Sequence, residues 1–361
     1  MFGSYVIWAN YADGSGKQVG QGDPMYCLQE AERLNEGLVS TTPVSDRQTP
    51  EMQVVTPGIR LDYGPEGWKD HKFGLPEDRW DRLGGLGFWI FGGGTGYGQA
   101  IATALAAAGA QVFLTGRRKS VLADAIDAMR RNDIPISNCH IVPADINDLE
   151  ALAAAAVQIR QSPGANVHGI VSCAALPQHR TSPWPLAEMP GEHWQTMLST
   201  NVTGQLNAFR AALPLMEDQG QMRMVYFTSE AGWANTEGVG PYNVTKAALN
   251  SLVMSLAQEN AVRYPDAVVQ INVLDPGEAR TEMNQGSSIR PYAAVPMTLA
   301  LLSQPTPGPN GRFFHRDGRH LSFAYAKAWP ASLFDENAMA SIDLRRPHIF
   351  RRILHRVLGH R

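Results

Sequence analysis

"FWIFGGGTGYGQAIA", residues 88 to 102, begins as a run of large apolar side chains, breaks into glycine, and resumes as alanine and isoleucine. That is the order strand, turn, helix. A phosphate bound at a helix start needs bare backbone N–H groups, and side chains there block its approach, so glycines gather at such a turn. Gly92, Gly96 and Gly98 make a GxxxGxG spacing, with Gly94, Thr95 and Tyr97 between them. A tight turn with no ligand is the plain alternative. The strand before, the helix after and "AQVFLTG" beyond supply the context that a phosphate-binding turn requires.

The same rhythm runs outward. "SVLADAIDAMRRND" reads as a helix, "CHIVPADI" as a strand end, and Leu149 to Ile159 as an alanine-rich helix. "VHGIVSCAA", a long helix through Thr200 to Leu215, "RMVYFTS", another helix and "VVQINVLDPG" follow, and "GRFFHRDGRHLSF" looks like a hairpin or edge strand. Apolar strands alternating with amphipathic helices predict an α/β fold, a doubly wound parallel sheet covered on both faces. This domain is expected over 83–328. Residues 1–82, rich in Gly, Pro and polar residues, read as an extension with local structure, wrapped on the main body or on a neighbouring subunit, with a wholly disordered arm as the alternative, and 329–361 as a basic C-terminal helix.

Of the 361 residues, 44% are hydrophobic and 18% charged, as in an ordinary globular protein, and a net charge of −3 gives no reason to expect nucleic acid. The three cysteines, Cys27, Cys139 and Cys173, form no CxxC pair and imply a reducing compartment. No metal-ligand spacing stands out. No apolar run reaches the roughly 18–20 residues of a membrane span, and the start lacks a basic stretch followed by an apolar core. A cytoplasmic location is expected. The tail is different: residues 345–361 carry six arginines and no acid, with apolar residues on one helical face. Such a helix suits an anionic membrane surface, an acidic neighbouring subunit, or its own body.

"PYNVTKAALNSL" sets Tyr242 and Lys246 four residues apart, on one face of a helix. A phenol with a pKa near 10 is a poor proton-transfer group at neutral pH, and a nearby ammonium is expected to lower that value by up to about 3 units. Ser229 ends the preceding strand thirteen residues before Tyr242; Asn201 lies upstream, and Pro276, Gly277 and Thr281 stand in "LDPGEART" after the next strand.

This ordered set resembles the short-chain dehydrogenase/reductase family in its shorter, single-domain branch. The resemblance implies an oxidoreductase that moves a hydride between a nicotinamide cofactor and a carbonyl or secondary alcohol, with Tyr242 as general acid/base. Lys246 would hold the nicotinamide ribose, Ser229 the substrate oxygen, Asn201 a relay water behind Lys246, and Thr281 the carboxamide. Asp145 and Ile146 would meet the adenine and Ala174 the ribose, with Pro276 and Gly277 near the nicotinamide. Arg117 and Arg118 stand where NAD-preferring members carry an acid, so NADP is expected, with NAD as the alternative. The family's Thr before the first glycine is Phe91 here, and its Asn-Asn-Ala-Gly is Ser172-Cys173-Ala174-Ala175. A homodimer or homotetramer is implied. Two other readings stand beside this one: an enzyme acting on a sugar or polysaccharide precursor, and a catalytically silent nucleotide-binding scaffold. The short stretch from Thr281 to "VPMTLALLS" suggests an open substrate pocket, or one covered by residues of the extension or tail. Trp184, Trp194 and Trp233 lie near its expected rim.

Overall fold

The computed structural model describes residues 5–10, 16–22, 51–55, 63–162, 166–177, 186–235 and 238–321. Three strands come first, β1 (Tyr5–Asn10), β2 (Gly16–Gly22) and β3 (Glu51–Val55), paired antiparallel in the order β2-β1-β3. Two short helices follow, α1 (Gly67–His71) and α2 (Glu77–Asp81). Strand and helix then alternate. The first half comprises β4 (Gly87–Phe91), α3 (Gly96–Ala107), β5 (Gln111–Thr115), α4 (Lys119–Arg131), β6 (Cys139–Ile141), α5 (Leu149–Arg160) and β7 (Val167–Ser172). After it come α6 (Gly191–Leu198), α7 (Gly204–Glu217), β8 (Gln221–Phe227), α8 (Ala231–Ala234), α9 (Gly240–Arg263) and β9 (Val268–Asp275). The last elements are α10 (Val295–Leu302), β10 (Phe313–His315) and β11 (His320–Leu321). Strands β4 to β10 are parallel in the order β6-β5-β4-β7-β8-β9-β10, and β11 lies antiparallel on the edge. The expected doubly wound sheet and its terminal hairpin are both present.

β4 is buried at every position, as a central parallel strand must be. Its side chains alternate: Phe88 and Ile90 join one core with Ile101, Leu105, Leu122, Met129 and Leu299, from α3, α4 and α10. Trp89 and Phe91 join the other, with Leu152, Ala208, Ala212, Leu249 and Val253 from α5, α7 and α9. Tyr63, Phe73, Leu75 and Trp80, which the sequence assigned to an extension, belong to the first of these cores. Phe73 stacks on Tyr292 at 5.9 Å, and buried Arg79 donates from Nε to Ser303 Oγ at 3.2 Å and from Nη2 to the Ala300 carbonyl. Apolar contact and a satisfied guanidinium together fix 63–82 to the main body. The basic tail, Cys27 and Trp184 lie outside the described residues.

Register brings the strand ends level. Phe91 pairs with Thr115 on one side and Ser172 on the other, Ser172 with Tyr226, and Phe227 with Leu274. The chain reverses direction across the sheet between β4 and β7, and a crevice at the carboxyl ends of the strands is the place such a sheet offers a ligand.

Candidate active site

At that crevice Gly92 has φ +77°, and a Cβ on it would stand 2.8 Å from Ala174 N. At Gly98 an added Cβ would meet Gly92 O at 2.1 Å, so no larger residue fits between turn and helix. Gly96 has φ +54° and faces Thr281, whose Cγ2 is 3.1 Å from the Cβ position. The turn needs its glycines for backbone conformation and for close approach at once. Tyr97 turns the other way: its hydroxyl donates to Gly277 O at 2.7 Å and its ring meets Phe227 at 5.6 Å.

Two cavities of about 390 Å³ each open here. The first is lined by Gly92, Gly94, Thr95, Arg117, Arg118, Asp145, Ile146 and Ala174. The second is lined by Tyr97, Ser229, Tyr242, Lys246, Pro276, Gly277 and Thr281. Ala175, Pro177 and Met283 line both. Every expected cofactor residue except Gly96 and Gly98, which shape the turn beneath, therefore borders one cavity or the other. The glycine cradle, which a Cβ would fill, and the two cations beside it fit a dinucleotide carrying a ribose phosphate. Arg117 Nε lies 4.0 Å from Asp145 Oδ2, and Arg118 Nη2 lies 3.6 Å from Glu282 Oε2 across the first cavity.

In the second cavity, Lys246 Nζ sits 5.4 Å from the centroid of the Tyr242 ring and donates to Phe227 O at 2.8 Å. The shared helical face is as the spacing predicts. The expected acidification is not. Burial pushes the Tyr242 phenol up; its hydrogen bond with Ser229 pulls the other way and loses, and the charge of Asp275 adds to the rise. Burial also pushes Lys246, 3% exposed, down to about 8. Desolvation disfavours the charged form of each group, so the cation one turn away does not outweigh it.

Asn201 has a structural task as well. It lies in a π-helical segment, Ser199–Thr203, between α6 and α7. Its Oδ1 accepts from Leu176 N at 2.7 Å, and its Nδ2 donates to Leu176 O at 2.9 Å and Thr245 Oγ1 at 3.1 Å. With both amide hydrogens engaged and the oxygen accepting one bond, the side chain clamps the loop after β7 to α9. Gln205, which the sequence reading missed, completes the support. It accepts from Ser172 Oγ and donates from Nε2 to Ala174 O at 2.6 Å. The Asn201 and Gln205 amides thus hold the loop after β7, where Ser172 and Cys173 stand in place of the two Asn of the family motif. Only its position one helical turn after Asn201, at i+4, marked Gln205 in the sequence.

The segment from Arg280 to Arg290 folds on itself, with Arg280 N bonded to Ile289 O at 2.7 Å and Thr281 bridged to Asn284. Thr281, Met283, Asn284 and Gln285 border the second cavity. Among the described residues, none from 1–82 borders either cavity, and Trp194 and Trp233 are not in either lining. No helix among the described residues is long and apolar enough to cross a membrane. Cys173 lines the second cavity as a free thiol, pushed up by burial, and Cys139 is also free.

Comparison with known proteins agrees with this geometry. Residues 88–290 match the short chain dehydrogenase family. Dehydrogenase/reductase SDR family member 4 of Rattus norvegicus is 31% identical over 191 residues, which span 52% of this chain and 64% of that protein. An uncharacterized oxidoreductase of Staphylococcus aureus is 26% identical over 60% of this chain and 90% of its own. A short-chain type dehydrogenase/reductase from Mycobacterium marinum superposes with a TM-score of 0.54 at 26% identity, covering 62% of this chain and 90% of that one. A protein assigned as a short chain dehydrogenase of Shigella flexneri, complexed with NADP, shares the fold with a TM-score of 0.58 at 22% identity, over 66% and 99% of the two chains. By the family match over more than half its length and by the sheet that carries it, this chain belongs to the short-chain dehydrogenase family.

Proposed function

We propose that the protein is an NADP-preferring oxidoreductase acting on a carbonyl/secondary alcohol pair, with Tyr242 as its general acid/base. The observation that carries this reading is the adjacency of the two cavities: phosphate-turn glycines and Arg117 and Arg118 line one, Ser229, Tyr242 and Lys246 the other, and Ala175, Pro177 and Met283 border both.

Bound nicotinamide would supply or accept the hydride. The chain supplies position and the proton. Gly92, Gly94 and Thr95 would hold the diphosphate, Asp145 and Ile146 the adenine, Arg117 and Arg118 the ribose phosphate, and Lys246 the nicotinamide ribose, with Tyr97 at the nicotinamide end. Ser229, already bonded to Tyr242, would hold the substrate oxygen and steady charge developing on it. In reduction Tyr242 Oη gives a proton to that oxygen; in oxidation it takes one from the alcohol. The phenol is protonated at neutral pH, the state a proton donor needs, while burial, by raising its proton affinity, works against release of that proton.

The test is a screen of NADPH and NADH oxidation against a panel of ketones and aldehydes, and of NADP reduction against the matching secondary alcohols. Tyr242→Phe is the control. Turnover by the native chain, lost in that variant, supports the reading. Equal turnover by both overturns it.

A further inference from the structure

Asp275 ends β9 at the edge where the cavities open, and it is 1% exposed. Nothing in the proton transfer above requires an acid there. Its Oδ2 accepts from Trp233 Nε1 at 3.0 Å and its Oδ1 from Gly277 N at 3.0 Å. Trp233 belongs to α8, whose Ala231 lines the catalytic cavity, and Gly277 belongs to the turn lining the same cavity. One buried carboxylate therefore ties two walls of that cavity together, across 42 residues of sequence.

Charge gives it a second task. Lys246 is buried, and its ammonium donates to a neutral carbonyl. None of the ion pairs among the described residues includes it. A buried cation without a contacting anion depends on buried carboxylates at longer range, because the interior screens them weakly. Asp275 directly follows Leu274, the register partner of the Phe227 whose carbonyl holds Lys246 Nζ, and its charge bears on both Tyr242 and Lys246. The other titratable or charged groups around it are Tyr97 from α3, His315 as register partner on β10, and Arg316, with Cys173 after β7 beside Lys246. Arg316 donates its backbone N–H to Asp275 O at 2.9 Å and its Nη1 to Pro276 O at 3.0 Å, so it braces the same turn.

We propose that Asp275 is a positioning residue of the reaction, which balances the charge of Lys246 and holds α8 against the Gly277 turn. The inference rests on Tyr242 as the proton-transfer group. Removing the negative charge eases loss of a proton from the phenol, so the two roles separate by substitution.

The experiment measures kcat/KM against pH for oxidation of the best secondary alcohol of the panel, by the full chain and by Asp275→Asn, Asp275→Glu and Trp233→Phe. Thermal unfolding reports folding, and Tyr242→Phe is measured alongside. In Asp275→Asn the rising limb is expected about one pH unit lower, as loss of a nearby charge dictates. Asp275→Glu keeps the limb in place. Trp233→Phe also keeps it, but raises KM several-fold. Asp275→Ser, which lacks the charge and keeps an acceptor, is read instead should the Asn variant not fold. An unmoved limb in a folded neutral variant overturns the charge role, and an unchanged KM in Trp233→Phe overturns the anchoring role. Undiminished turnover by Tyr242→Phe overturns the proton-donor reading and this inference with it. A normal loss there with an unmoved limb overturns this inference alone.

Discussion

The Lys246 ammonium lies 5.4 Å from the centroid of the Tyr242 ring and spends a hydrogen bond on Phe227 O, at 2.8 Å. The cation is thus seated beside the phenol and anchored to the end of β8. Burial governs the proton affinity of both groups.

Tyr242→Phe keeps the ring beside Lys246 and removes only Oη. We expect kcat to fall about 10²- to 10⁴-fold, the usual worth of a positioned acid/base, with NADP affinity retained. Steady-state kinetics and cofactor fluorescence titration check the two halves.

Lys246 makes a prediction about stability. Burial lowers it from its ordinary 10.5 to about 8, so above pH 8 the folded chain releases a proton that the unfolded chain keeps to about 10.5. In that window the unfolded state binds more protons and stability rises with pH; below it the buried charge costs about 3 kcal/mol. Lys246→Met removes that cost and leaves Phe227 O short of a donor, a loss of about 1 kcal/mol. The inactive variant is expected to be about 1–2 kcal/mol more stable than the native chain at pH 7, an advantage that vanishes by pH 10. Denaturant unfolding at the two pH values decides, and no gain at pH 7 rejects the prediction.

Gln205→Leu leaves buried Ser172 Oγ and half-buried Ala174 O without their partner. Unfolding experiments are expected to read a loss of about 1–3 kcal/mol, and the NADP Kd is expected to rise because Ala174 borders the first cavity. A variant with native stability and native Kd contradicts this account of the loop.

Arg118 and Glu282 are both about two-thirds exposed, and their ion pair at 3.6 Å is weak. A ribose phosphate offers the guanidinium two parallel bonds instead. Arg118→Ala is expected to lower the NADP/NAD ratio of kcat/KM at least about ten-fold, and Glu282→Gln to raise NADP affinity a few-fold, more at low salt than at high. An unchanged ratio in Arg118→Ala removes the basis for NADP preference.

Much of the site was legible in the amino-acid order because its parts are local. The glycines of 92–98 answer to backbone angle and close approach within one turn, and Tyr242 and Lys246 to helical spacing. Ser229 and Thr281 follow from where strands end. Asn201 was found, but its partners were not: nothing local says that its amide bonds to Leu176 and Thr245, 25 and 44 residues away. That Trp80 and Phe73 of the extension enter the core of the main body was not legible, because periodicity is silent on what a short helix packs against.

Alternation of apolar strands with helices, and the positions at which they break, determined the parallel sheet and the crevice at its carboxyl edge; those are properties of short stretches of chain. The direction in which Tyr242 moves, the support of the Ser172–Leu176 loop by Gln205, and the buried carboxylate of Asp275 between Trp233 and Gly277 were decided only by the tertiary structure. Desolvation and hydrogen bonding between distant segments exist only once the chain has closed on itself, and both set the chemistry of this site.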